Sequence, residues 1–137
     1  YSTVVYVDES DDKALDVALA RAGRAYEGFL SVPDDPSRTF EDRVAEFAAL
    51  AYERGEGPAA EIRAHLFDAA YLHENDLVFI GSAKTVTEKL MRAASEGVFN
   101  CFMGEFNFSD LPEDDVMRSI RLFGEKVMPE LRDFNPF

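Results

Sequence analysis

Between Leu77 and Phe108 the sequence LVFIGSAKTVTEKLMRAASEGVFNCFMGEFNF places an amphipathic helix directly before an apolar run. Val86, Leu90, Ala93 and Ala94 recur at helical spacing, Thr85 and Glu88 have the T-x-x-E form of a capping box, and Gly97 supplies a stop. Val98–Met103 is apolar except for Asn100, the composition of a strand covered on both faces and therefore of a parallel strand. A helix that leads straight into a parallel strand confines the chain to α/β architectures. In these, side chains just past the C-terminal end of a strand face the functional site. Those positions are Gly104, Glu105, Phe106, Asn107 and Phe108.

The rest of the chain supplies partners for this unit. Ser2–Val7 is rich in β-formers and ends at Asp8-Glu9-Ser10, so it reads as a buried strand followed by a polar turn. It is expected to lie parallel to Val98–Met103, because the helices between them provide the crossover that a parallel return requires. Leu15, Ala18, Ala22 and Phe29 predict a helix over 12–30, and the proline- and aspartate-rich Ser31–Arg38 predicts a surface loop. Thr39 with Asp42 caps a second helix, marked by Phe40, Val44, Phe47 and Ala51 and stopped at Gly55-Glu56-Gly57. Pro58 opens a third, whose period runs through Ile62, Leu66, Ala69 and Leu72 to about His73. Leu77–Ile80 predicts a short extended segment. Asp110, Pro112 and Glu113 predict the start of a last helix with Val116, Ile120, Phe123 and Val127 on its core side, and Pro129 is expected to kink or end it.

The formal charge of −13 would repel a phosphate backbone, and no cluster of Lys and Arg offsets it, so nucleic acid is not expected as a partner. The acidic residues are spread over helix faces and turns, as solvated surfaces are. No apolar run approaches the ~18 residues needed to span a bilayer and no leader pattern opens the chain, so no membrane partner is expected and a cytoplasmic location is the default expectation. Cys101 cannot form an internal disulfide, and within the apolar run it is expected to be a buried, inert thiol. His65 and His73 stand eight apart, whereas a metal-binding pair on a helix wants a spacing near four, so no metal site is expected. Gly81-Ser82 before a helix offers an anion position, but a lone glycine turn is a weak signal.

The segments IGSAKTVTEKL, GVFNCFMGEF and DVMRSIRLFGEKVMPELRDF together resemble the C-terminal end of the luciferase-like flavin-dependent oxidoreductases and monooxygenases, which are TIM barrels. The opening VVYVDESDDKALDVALARA resembles the preceding strand and helix of that family, and Ala83-Lys84 stands where the family often has Pro-Glu. The resemblance implies the C-terminal portion of a (β/α)8 barrel: its last two βα units, with helices inserted between them. A complete barrel takes about 250 residues. The 137 residues, a single or partial domain opening on Tyr1, are therefore expected to be completed by strands that precede them.

The same resemblance implies reduced flavin, FMN or a deazaflavin, acting with O2 on a small organic substrate, with most of the flavin site on the preceding strands. It assigns no catalytic residue. The expected contribution of this chain to the pocket is Met103, Glu105, Phe106 and Asn107 after the central strand, with Glu9 at the corresponding place after the first. Alone, the chain is expected to be inactive. The alternative is a non-catalytic half-barrel that assembles with itself or with a partner subunit. Two parallel strands with open edges are expected either to self-associate or to be paired by the rest of the barrel, and a homo-oligomer is expected.

Overall fold

The computed structural model describes residues 1–30 and 37–136, except for the side chain of Phe29. The protein is a helix-rich α/β fold built on one small parallel sheet. Strand β1 (Ser2–Asp8) lies in the middle, flanked by β2 (Phe79–Ser82) and β3 (Met103–Glu105). Val5 faces Phe79 and Asp8 faces Ser82 across one edge; Ser2 faces Met103 and Val4 faces Glu105 across the other.

Alternation along β1 sends side chains to two cores. Val4 and Tyr6 join Ala14, Ala18 and Ala22 of helix α1 (Asp11–Ala22) on one face. Val5 and Val7 join Phe79 and, on helix α5 (Ala83–Ser95), Val86 and Leu90 on the other. All four β1 side chains are fully buried, which is why the stretch reads as continuously apolar. Helices α2 (Phe40–Arg54), α3 (Pro58–Ala64) and α4 (Ala69–Glu74) occupy the connection from α1 to β2. Among the described residues no helix is long and apolar enough to cross a membrane.

The parallel pairing of the first strand with the segment after Gly97 is present, but its residues differ from those expected. Val98–Met103 is not a buried strand. Gly97 (φ +76°) ends α5, and the chain then loops, with Val98 54% exposed, Cys101 exposed and Met103 64% exposed. The apolar residues serve aromatic packing instead: Phe99 stacks on Tyr1 at 5.6 Å between ring centroids and lies 5.3 Å from Phe102, which meets Phe79 edge to face at 5.5 Å. Hydrophobic composition is the same for a strand and for such a loop.

Other boundaries move for local reasons. The helix expected over 12–30 stops at Ala22, and Gly23 lies so close to the Phe67 carbonyl that an added Cβ would stand 2.9 Å from it. The helix expected from Pro58 to His73 is two, because the Asp68 carboxylate accepts from the Tyr71 N–H at 3.1 Å and starts α4 afresh. Thr39 and Asp42 do form a capping box for α2. Thr85 and Glu88 do not; Ser82 caps α5 by accepting from the Thr85 N–H. Asp110 pairs with Arg21 at 2.9 Å rather than capping the last helix, which begins at Glu113 after Pro112 with no side-chain cap. The loop expected over Ser31–Arg38 falls largely on residues 31–36, outside the described residues.

The last helix is α6 (Glu113–Leu122), a π-helical turn (Phe123–Val127) and α7 (Met128–Arg132), with the turn placed just before Pro129. Its buried side is Val116, Ser119 and Val127; Ile120 is 42% exposed and Phe123 half-buried, so neither lies in the core as the periodicity predicts. α6 solves a problem left by the shortness of β3. That strand stops opposite Val4, so the Val7 N–H on the same edge has no strand to pair with, and the Ser119 hydroxyl accepts from it at 2.8 Å. Ser119→Ala leaves this N–H buried without a partner and is expected to cost about 1–3 kcal/mol of stability. A denaturant midpoint equal to the parent's would contradict this.

The strand order matters for the barrel expectation. Successive strands of a (β/α)8 barrel are neighbours in chain order. Here β1 separates β2 from β3, so the three strands form a small open sheet.

Candidate functional site

Because the strands are parallel, the C-terminal ends of β1 and β2 open on the same side, and Asp8 and Ser82 stand next to each other there. Two polar clusters meet at this point. In the first, the nearly inaccessible Asp8 carboxylate accepts from the Tyr6 hydroxyl at 3.0 Å, from Arg118 Nη2 at 3.1 Å and from the Glu9 N–H at 2.8 Å. Arg118 also reaches Asp115 at 2.5 Å. In the second, the Asp11 carboxylate accepts from the Ser82 N–H at 2.6 Å and the Thr85 hydroxyl at 2.9 Å. The anion position at the start of α5 is thus filled by the chain's own carboxylate. Gly81 permits this closeness: an added Cβ would stand 2.9 Å from Asp11 Oδ1. A third group braces the turn before β2, where Asp76, in the left-handed region (φ +53°), pairs with Lys89 at 2.8 Å and with Arg92.

These contacts set the charge states. Burial works to raise the Asp8 carboxyl, but the Glu9 N–H, Arg118 and Tyr6 outweigh it and hold it below 3.8. The Ser82 N–H lowers Asp11, and Lys89 with Arg92 overcomes the burial of Asp76. Burial, opposed by Arg118, pushes the Tyr6 hydroxyl up to about 12. Tyr6 therefore stays protonated and Asp8 ionised at neutral pH, with every Asp8 contact already a donor. The cluster orients α6 on β1; it is not poised to move a proton.

The signs fix a pH profile. A carboxyl depressed in the fold contributes stability above its unfolded value and loses it as pH falls through the folded value. His73, lowered from 6.5 by burial and by Lys89, loses stability in the same direction as it is forced to charge. Tyr6, raised from 10.0 to about 12, contributes stability below 10 that is lost as pH rises towards 12. Stability is therefore expected to be highest from about pH 7 to 9, to decline below about pH 6.5, and to fall further below about pH 4. Thermal melts across that range check it; a midpoint that rises on acidification would contradict it.

The residues expected at the pocket do not converge. Glu9 lies at this end, exposed and paired with Lys13 at 2.5 Å. Glu105 faces Val4, four residues short of Asp8, or about 13 Å along the strand, and accepts from the Ser2 hydroxyl at 2.6 Å. Met103 lies further back, beside Ser2. Phe106 packs edge to face on Phe123 at 5.1 Å, Phe108 enters the core with Val4 and Tyr6, and Asn107 is exposed. The register explains this: β3 is displaced towards the start of β1, so its end is not level with the other two.

Sequence reasoning singles out none of Asp8, Tyr6, Arg118 and Asp11 for a site, and it gives Thr85 only a capping role. The available signal is an acid placed immediately after four buried β-formers, a pattern that reads equally as a turn. A cavity of about 340 Å3 lies elsewhere, between Leu90, Phe99, Phe102, Leu131 and Phe134. Phe102 precedes the residue that pairs with Ser2, so the cavity sits towards the start of β1. His65 stacks on Tyr71 at 4.3 Å with Glu61 and Asp68 on either side, and among the described residues no three His, Cys, Asp or Glu side chains gather as metal ligands.

The strand ends do not by themselves fit a flavin phosphate. Arg118 is committed to two carboxylates, Lys13 to Glu9, and the α5 N-terminus to Asp11. Compared with protein-family models the chain matches none, and compared with curated proteins it matches none.

Proposed function

We propose that this chain is the C-terminal part of a luciferase-like flavin-dependent oxidoreductase or monooxygenase, acting with FMN or a deazaflavin and O2 on a small organic substrate. The observation that carries the reading is the order of elements: parallel β1, β2 and β3, each followed by a helix, in the segments where the sequence resembles that family. On this reading the flavin is held by strands outside the chain, and the role of these residues is positional. Asp8 and Arg118 pin the last helix to β1, and Asp11 pins the turn after β2, so the strand ends are rigid where they would adjoin a pocket. Completion of the barrel would also bring β3 beside β2, exchanging its present contact with β1.

The test is the coding sequence ahead of Tyr1, followed by flavin titration of its full product. About 150–200 further residues of βα pattern, and a product that binds reduced FMN or deazaflavin, are expected. A full product that binds neither would end the proposal.

The strand order favours a second reading, a non-catalytic unit that assembles with itself or with another subunit, since an open sheet with β1 in the middle needs no barrel to complete it. A full product that is small, binds no flavin and is stable as an assembly is its expected result.

A further inference from the structure

The side of the last helix that faces away from the sheet is apolar and exposed. It carries Met117, Ile120 and Met128, each more than two-fifths exposed, and Gly124, where an added Cβ would meet nothing within 4 Å. A glycine inside a helix weakens it, and this one has neither a positive φ nor a close neighbour to require it. What it does provide is room for a second backbone to come near.

The charges flanking this stripe are complementary to their own reverse. Glu113 lies four residues before Met117, and Arg132 lies four residues after Met128. Neither has a partner among the described residues, and nor does Arg121 or Glu125. The chain as a whole carries −13, which keeps copies apart, yet between Glu113 and Arg132 there are five acidic and four basic residues, so this segment is nearly neutral.

We infer that this face binds a second copy of the chain, with the two helices antiparallel about a twofold axis near Leu122 and Phe123. In that setting Glu113 of one copy meets the partner's Arg132, Met117 meets the partner's Met128, and Ile120 lies over the partner's Gly124. The twofold repeats each contact, as a self-complementary interface requires. A parallel arrangement would set Glu113 against Glu113 and Arg132 against Arg132, so charge selects the antiparallel one. The inference does not depend on flavin chemistry. It also differs from association through the outer edges of β2 and β3, which would use backbone rather than this helix.

Sedimentation equilibrium of the intact 137-residue chain tests it. A dimer that dissociates on dilution is expected. Ile120→Glu abolishes it while the monomer keeps a cooperative thermal transition, because the side chain is two-fifths exposed and outside the buried side of the helix. Arg132→Glu weakens the dimer by about tenfold or more, and adding Glu113→Arg to that variant restores the parental dissociation constant. A monomer at every concentration, a dimer that survives Ile120→Glu, a double reversal that restores nothing, or larger assemblies indifferent to all three changes would each overturn it.

Discussion

Phe79→Ala is expected to lower the unfolding free energy by about 3–5 kcal/mol, the range for a large side chain removed from a close-packed core. Phe79 is fully buried in β2 and belongs to the cluster that includes Val5, Val7, Val86 and Leu90, with Phe102 against its ring. A domain of this size has roughly 5–15 kcal/mol to lose, so the variant should be partly unfolded at moderate denaturant. Phe123→Ala is the instructive comparison. The helical period of the last segment predicts Phe123 as a core residue, but it is half-buried, and its truncation should cost about half as much. Equal midpoint shifts for the two variants in urea unfolding would mean that the packing described for β2 is wrong.

Asp8→Ala is expected to cost about 3 kcal/mol, by a different route. It strips the Tyr6 hydroxyl and the Glu9 N–H of their acceptor and leaves Arg118 with Asp115 and the Tyr6 oxygen only. A buried donor without a partner costs about 1–3 kcal/mol, and an ion pair broken on one side adds to it. Asp8→Asn keeps an acceptor oxygen but not the charge, so it should fall between parent and Asp8→Ala. The acid limb of the stability profile gives an independent reading: part of the decline below about pH 4 should be missing from both variants. A parental midpoint for Asp8→Ala would show that the cluster carries no stability.

Features of the chain that depend on near neighbours were legible in the sequence. The β-formers of β1, the Thr39–Asp42 box and the stop at Gly97 each follow from a few adjacent residues, and each is present. What was not legible depends on residues far apart. Asp8 reads as part of a turn until Arg118, 110 residues later, is placed beside it. Val98–Met103 reads as a strand until Tyr1 and Phe79 supply the aromatic partners that make it a packed loop. Glu105 reads as the strand-end acid until the register sets it opposite Val4. The resemblance implies a barrel with neighbours in chain order, whereas the sheet runs β2-β1-β3.

The place of β1 at the centre of the sheet also governs the order in which the molecule can assemble. Val5 pairs with Phe79 and Ser2 with Met103, so β1 has neither of these ladder partners until synthesis has passed β2 and β3, more than seventy residues further on. Until then its apolar residues have only α1 to lie against, and the entropy of closing two long loops must be met before either edge is bonded. During synthesis, α1 and the helices that follow can form locally while the sheet waits, and sheet formation becomes one late, cooperative event. Any interruption of the chain ahead of β2 therefore leaves the four fully buried residues Val4, Val5, Tyr6 and Val7 without a strand to pair with.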